Sequence, residues 1–445
     1  MLEREQIIPE EAKKKSERPF EPDIRRAKDR FLEIAYVKDG QPCPMDLCPE
    51  PLRIQGLSER VVMTEKLLPG LARLISKAQI LAGRAQKEGD HILPEEMADL
   101  SEIMEVNNVP EELREMHTQL LEMGQVPLFL RLDSSLTNNP FEPNLLPPSV
   151  EVQFRIGGLG FHTAADQHFL GGSNLPSIYT ATLRKKSIEM WGEQTPKVVL
   201  LVPEEKAAEV RFWAKELSRQ GVNATSLSFD GDNPVVVLDQ VREEVDKGAR
   251  IIVRREVNLP LFSQHTDLVE KVISGGILFE PPLPIFFDGK AISLILSRLP
   301  DSMPLKCLSV PTQKVDDFDK AREFVEEIKK GVLKFGSGMD LPRTFGGRGV
   351  AFLDSLSNKY KAWVLSDVQS DLGKGQFWVF QEDFRETIAT EVVTDSSRDL
   401  VSGRIRSMFF VSVPQRRIMG GGFNIGVNTQ VVRGGHPVGT IDLKT

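Results

Sequence analysis

The sequence predicts an α/β protein with a helical N-terminal region. Three observations carry that prediction. Between Pro196 and Pro284 apolar strands alternate with amphipathic helices, the pattern of a parallel sheet covered by helices. Ahead of it stand two strand-like runs, VPLFLRLDSS at 126–135 and SVEVQFRIGGLG at 149–160. Behind it GVLKFGSG, GRGVAFLD, QFWVFQEDF, RSMFFVSV and NIGVNTQVV read as further strands separated by turns.

Taken in order, the first 40 residues read as a partly helical arm, and the proline-rich stretch 42–52 breaks any helix there. Residues 57–87 carry Leu67, Leu71, Leu74, Ile75, Ile80 and Leu81 at helical spacing. Further helical runs are expected from Pro94 to Glu105 and from Pro110 to Met123. In the strand at 149–160, alternation sets Val150, Val152, Phe154 and Ile156 on one face and Glu151, Gln153 and Arg155 on the other. From Pro196 the order is KVVLLVP as strand, EEKAAEVRFWAKELSRQG as helix stopped at Gly221, and NATSLSF as strand. Then come VVVLDQVREEVDKG as helix stopped at Gly248, ARIIVRREV as strand, a helix over Thr266–Ser274 and the strand GGILFEP. Residues 316–331 make a helix with acidic residues in its first turn and basic ones in its last. The expected divisions are 1–125 (helical), 126–195 (acidic strands), 196–285 (α/β) and 286–445 (nucleotide-binding lobes).

Composition limits the function classes. The chain of 445 residues is 40% hydrophobic and 27% charged with a net charge of −8, enough apolar content for a sizeable core. No basic stripe marks a nucleic-acid binder. No run nears the ~18 apolar residues of a membrane span. The polar N-terminus lacks a secretory signal pattern, and three cysteines, Cys43, Cys48 and Cys307, suit a reducing cytoplasm better than a disulfide framework. Cys43 and Cys48 lack a second ligand pair for zinc and read as part of a proline-stiffened loop. Trp191, Trp213, Trp363 and Trp378 sit in apolar contexts and read as core.

Two groups of residues carry candidate chemistry. Arg131 and Asp133 share a strand face, and Glu151 and Gln153 share another. Asp133, Glu151 and the Gln153 amide offer hard oxygen ligands suited to Mg²⁺, and Arg131 suits a phosphoryl oxygen; the plain alternative is a surface ion cluster. Lys334 lies in a strand, followed by Gly346-Gly347-Arg348-Gly349-Val350, where small residues let backbone N–H groups approach phosphates. The plain alternative is a β-hairpin. Lys290 opens an apolar helix in FFDGKAISLIL, where the plain alternative is a solvated side chain near a helix start; the strand QFWVFQEDF ends in Gln381 and Glu382, which suit an adenine and its ribose or are an ordinary polar strand end. His162 and His168 flank Asp166 in GFHTAADQH and read as substrate-side or core polar residues rather than as a metal pair. No P-loop and no nucleophile elbow is present.

In their order along the chain these motifs resemble an ATP-grasp ligase in the circularly permuted arrangement of glutathionylspermidine synthetases and their relatives. There the R-x-D and E-x-N strands precede the lysines. Here RLDSS and EVQFRIGGLG come first, then the α/β region, then Lys290, Lys334 with GGRGV, and QED. The resemblance spans about 126–445. It implies a carboxylate–amine ligase acting through an acyl phosphate, on small-molecule or peptide substrates, with ATP and Mg²⁺ held between two lobes. Lys290, Lys334, Gly346, Gly347, Gly349, Gln381 and Glu382 would bind ATP, Asp133, Glu151 and Gln153 the metal, and Arg131 the transferring phosphoryl. Arg404, Arg406 and Asn428 lie on strands that would complete the larger lobe, either as contacts to phosphate or substrate or as plain strand-face residues. The E-x-N motif reads E-x-Q, which also allows a protein that keeps fold and nucleotide without turnover. A third reading is a glycosyltransferase-like two-domain enzyme preferring nucleotide sugars.

Overall fold

The computed structural model describes residues 127–136, 149–154, 156–169, 172–229, 234–254, 266–282, 290, 293–294, 297, 310–328, 330–336, 349–382, 388–393, 398–415, 417–427 and 438–440, with two short strands at 37–38 and 41–42. The expected helices of 57–123, the three cysteines, Gly346, Gly347 and Asn428 lie outside them.

Strands β1 (Val37–Lys38) and β2 (Gln41–Pro42) form a small antiparallel pair. Strands β3 (Phe129–Leu136) and β4 (Ser149–Gln153) pair antiparallel. The chain then folds into α1 (Leu159–Phe169) and α2 (Leu175–Trp191). Here the structure corrects the sequence reading: the second strand stops at Gln153, and LGFHTAADQHF is helical. The alternation at 150–156 is shared by a strand end and an apolar link into α1, where Phe154 and Ile156 are buried.

The α/β region follows prediction. Strand β5 (Lys197–Pro203), α3 (Ala207–Arg219), β6 (Asn223–Phe229), α4 (Pro234–Asp246), β7 (Ile251–Arg254), α5 (Thr266–Ile273) and β8 (Leu278–Glu280) build a parallel sheet in the order β6-β5-β7-β8. Gly221 and Gly248 follow α3 and α4 with φ of 82° and 94°, the left-handed conformation that ends a helix without a Cβ penalty.

Next come β9 (Thr312–Val315), α6 (Phe318–Glu327), β10 (Gly331–Phe335), β11 (Val350–Phe352), α7 (Asn358–Leu372) and β12 (Trp378–Glu382). The four strands form an antiparallel sheet, β11-β10-β12-β9. Its register puts Val315, Leu333, Phe335, Ala351, Trp378 and Phe380 on one face, packed with Phe324 and Val325 of α6 and Val364 and Val368 of α7. Asp317 caps α6 by accepting from the Asp319 N–H at 2.7 Å. Trp363 is not core: it is 61% exposed, because α7 buries the stripe Val364, Val368 and Asp371 and Trp363 falls beside it.

Strands β13 (Ile388–Val393), β14 (Arg398–Ser412), β15 (Arg417–Val427) and β16 (Val438–Thr440) return to β3 and β4. The result is a six-stranded antiparallel sheet, β16-β15-β14-β3-β4, with β13 also on β14. This sheet and the parallel one share a single core with α2 and α3, in which Phe129 stacks on Tyr179 at 3.8 Å and Tyr179 meets Trp213 edge-on at 5.3 Å. The glycine run 420–422 is strand, and its lack of side chains admits the helices. A Cβ on Gly420 would lie 2.8 Å from Leu175 of α2, and one on Gly422 would lie 1.9 Å from the His162 imidazole of α1. Among the described residues no helix is long and apolar enough to cross a membrane.

Candidate functional site

The acidic group assembles on the six-stranded sheet. Arg131 pairs with Gln153 and Asp133 with Glu151 across β3 and β4, while Asp133 faces Met408 and Ser135 faces Arg406 across β14. All these positions lie on the face that α1 covers. Asp133 is fully buried. Its carboxylate accepts from Arg131 Nε at 2.7 Å and Nη2 at 2.9 Å, and from Arg406 Nη2. Gln153 Nε2 points at the same carboxylate from 3.4 Å. Arg131 Nη1 donates to the Gly157 carbonyl at 2.8 Å, which ties the glycine link before α1 to β3. The Arg131–Asp133 pair is therefore a buried cluster rather than a surface one. Only the backbone of Glu151 is described.

His162 sits over this cluster, with its ring 5.0 Å from Phe410 and its Nδ1 without a hydrogen-bond partner. Burial, then the positive charges of Arg131 and Arg406, push its pKa down to about 3. Asp166 lies one helical turn on and accepts from Ser173 Oγ at 2.8 Å. The histidine is thus a neutral core residue, but not the hydrogen-bond-satisfied one that the plainer sequence reading expects.

Magnesium is the ion the resemblance implies here, and the donors as arranged do not suit it. Both Asp133 oxygens face guanidinium N–H groups, the Gln153 amide presents its nitrogen, and a dication would sit beside two fixed positive charges. Among the described residues no group of three or more His, Cys, Asp and Glu gathers in a metal-binding arrangement.

The cationic group assembles on the four-stranded antiparallel sheet. Its register sets Thr312, Lys314, Val332, Lys334, Val350, Phe352, Val379 and Gln381 on the face opposite its core. Lys334 Nζ donates to Gln381 Oε1. Gln381 Nε2 donates to Thr312 Oγ1 at 3.0 Å, and Thr312 Oγ1 donates to the Val310 carbonyl at 2.7 Å. Gly349 immediately precedes β11 with φ of 63°, and its carbonyl accepts from the Phe335 N–H at 2.7 Å. Glu382 ends β12 in solvent. Lys290 is buried in a turn whose carbonyl accepts from Ser293 N at 3.1 Å, and Ser297, four residues further on, donates to the Thr312 carbonyl at 3.1 Å. The segment carrying Lys290 is thereby tied to β9.

Three sequence candidates, Lys334, Gly349 and Gln381, thus meet on one sheet, and Arg131, Asp133 and Gln153 meet on another. Sequence reasoning missed Thr312 and Lys314; the alternation in TQKV could have shown that both share a face with neighbouring strands. It also missed Glu280, whose buried carboxylate accepts from the Leu128 and Phe129 N–H groups at 2.9 and 3.3 Å and joins the end of the parallel sheet to β3. Compared with known proteins, the sequence matches no family model and no curated protein.

Proposed function

We propose that this chain is an ATP-dependent carboxylate–amine ligase of permuted ATP-grasp type. ATP would transfer its γ-phosphoryl to a substrate carboxylate, giving an acyl phosphate and ADP; an amine would then attack the acyl carbon and expel phosphate. The observation that supports the reading is the meeting of Lys334 and Gln381 on one face of a small antiparallel sheet backed by two helices, with Gly349 just ahead of the strand that pairs with Lys334. On that face an ammonium would offset phosphate charge. In the second group the guanidiniums of Arg131 and Arg406 would be the cations to offset a transferring phosphoryl, Arg406 being the more exposed of the two.

A second reading is favoured by the state of Asp133: the chain binds a nucleotide and does not turn it over. A magnesium ion at that carboxylate would require its release from Arg131 and Arg406. Calorimetric titration with ATP, followed by phosphate release against a panel of carboxylates and amines, separates the two. Binding with amine-dependent phosphate release supports the ligase. Binding with no release under any pairing supports the second reading, and the absence of ATP binding overturns both.

A further inference from the structure

We propose that Thr312 is a positioning residue that fixes Lys334 through the amide of Gln381. The inference deepens the nucleotide-site reading, on which its functional consequence rests; the relay itself stands on geometry alone.

The directions of the three hydrogen bonds follow from donor chemistry. An ammonium only donates, so the Gln381 atom facing Lys334 must be the carbonyl oxygen. That choice turns the amide nitrogen toward Thr312. The threonine hydroxyl must accept there, and its own proton goes to the Val310 carbonyl. That carbonyl cannot donate, so the hydroxyl cannot reverse. The chain from Val310 to Lys334 therefore has one self-consistent orientation, set at its buried end. Gln381 is 2% exposed and Thr312 8% exposed, so water has little access to substitute for a missing partner. Without the hydroxyl, the amide nitrogen loses its acceptor, and nothing in the relay then holds the carbonyl oxygen against the ammonium. Lys314, on the same face and opposite Val379, is outside the relay: it pairs with Asp316 at 3.4 Å and serves as an internal control.

The test is trace acylation of lysines by an N-hydroxysuccinimide acetate ester, read peptide by peptide by mass spectrometry. It compares wild type with Thr312→Val, Thr312→Ala and Thr312→Ser; the alanine variant covers the case in which valine does not fold. Lys334 should acylate about fivefold faster in the valine and alanine variants, the equivalent of one net hydrogen bond. Lys314 and the exposed Lys374 should be unchanged, and serine should behave as wild type. A general loosening of the sheet would raise Lys314 as well, and that result overturns the relay, as does an unchanged Lys334 rate. ATP titration of the same variants then reads the functional consequence. A comparable loss of affinity in valine and alanine, but not in serine, supports the role in ligand positioning, and equal affinities overturn it. Wild type that binds no ATP overturns the nucleotide reading, while the labelling result still decides the relay.

Discussion

Replacing Asp133 by asparagine tests the buried cluster most directly. The carboxylate is 0% exposed and accepts from Arg131 at 2.7 and 2.9 Å and also from Arg406. An asparagine keeps the shape but removes the negative charge and turns an NH₂ toward a guanidinium N–H. Two arginines, with side chains 10% and 24% exposed, would then share one neutral oxygen. Breaking a buried pair from one side costs roughly 3–5 kcal/mol, a large part of the ~5–15 kcal/mol that holds an ordinary domain. Denaturant unfolding followed by tryptophan fluorescence reports the loss, since Trp213 lies in the core shared by this sheet. The exposed pair Asp319–Arg322 supplies the control, and Asp319→Asn should leave the midpoint unmoved. The combined change Arg131→Met, Asp133→Leu, Arg406→Met should recover part of the stability, because the carboxylate and both guanidiniums are removed together. A loss below about 1 kcal/mol in Asp133→Asn, the size of a surface pair, would refute the reasoning.

Two further outcomes follow from the helix that covers this cluster. Gly422→Ala drives a methyl into the His162 ring, 1.9 Å from Nδ1, and should cost about 1–3 kcal/mol in thermal or chemical unfolding; pairing it with His162→Ala should restore part of the loss, and an unaffected single variant would contradict the close approach. His162 should also make stability pH-dependent. Its folded pKa is lowered from 6.5 to about 3, so between those values the unfolded chain binds a proton that the folded chain does not. The contribution is complete above pH 6.5 and declines as pH falls toward 3, by about 1.4 kcal/mol per pH unit once the unfolded histidine is protonated. His162→Gln should flatten that slope between pH 6.5 and about 5; parallel curves for the two proteins would count against a neutral buried histidine.

The parallel sheet was legible because its signals are local. Continuous apolar strands alternate with helices closed by Gly221 and Gly248, and each element declares itself within its own window. Helices α1 and α2 were not, since their small and polar residues, such as Gly160 and Thr182, mask the helical period. Gly160 is small because α1 packs against α3, where a Cβ would lie 2.6 Å from the Glu209 carbonyl, and Thr182 meets Ser412 at 2.8 Å. Such reasons exist only in three dimensions. The pairing of Arg131 with Asp133 follows from the two-residue period of a strand, whereas Arg406 reaches the same carboxylate from 273 residues away, a distance no local pattern encodes. Likewise Lys334 and Gln381 each stand out as polar residues in apolar strands, but their contact depends on the register of β10 with β12.

The antiparallel sheet that joins β3 to β14 also sets a timetable for synthesis. When the ribosome has made Phe129, Leu130 and Leu132, the strand that will cover them in the sheet is still unwritten, and Asp133 must wait 273 residues for Arg406. At roughly 5–20 residues per second that interval lasts about 15–55 s. During it the parallel sheet can complete its own strand pairing, while β3 offers β14's place to any extended segment nearby. A nascent chain halted before Arg398 is therefore the species in which chaperone capture or aggregation should concentrate.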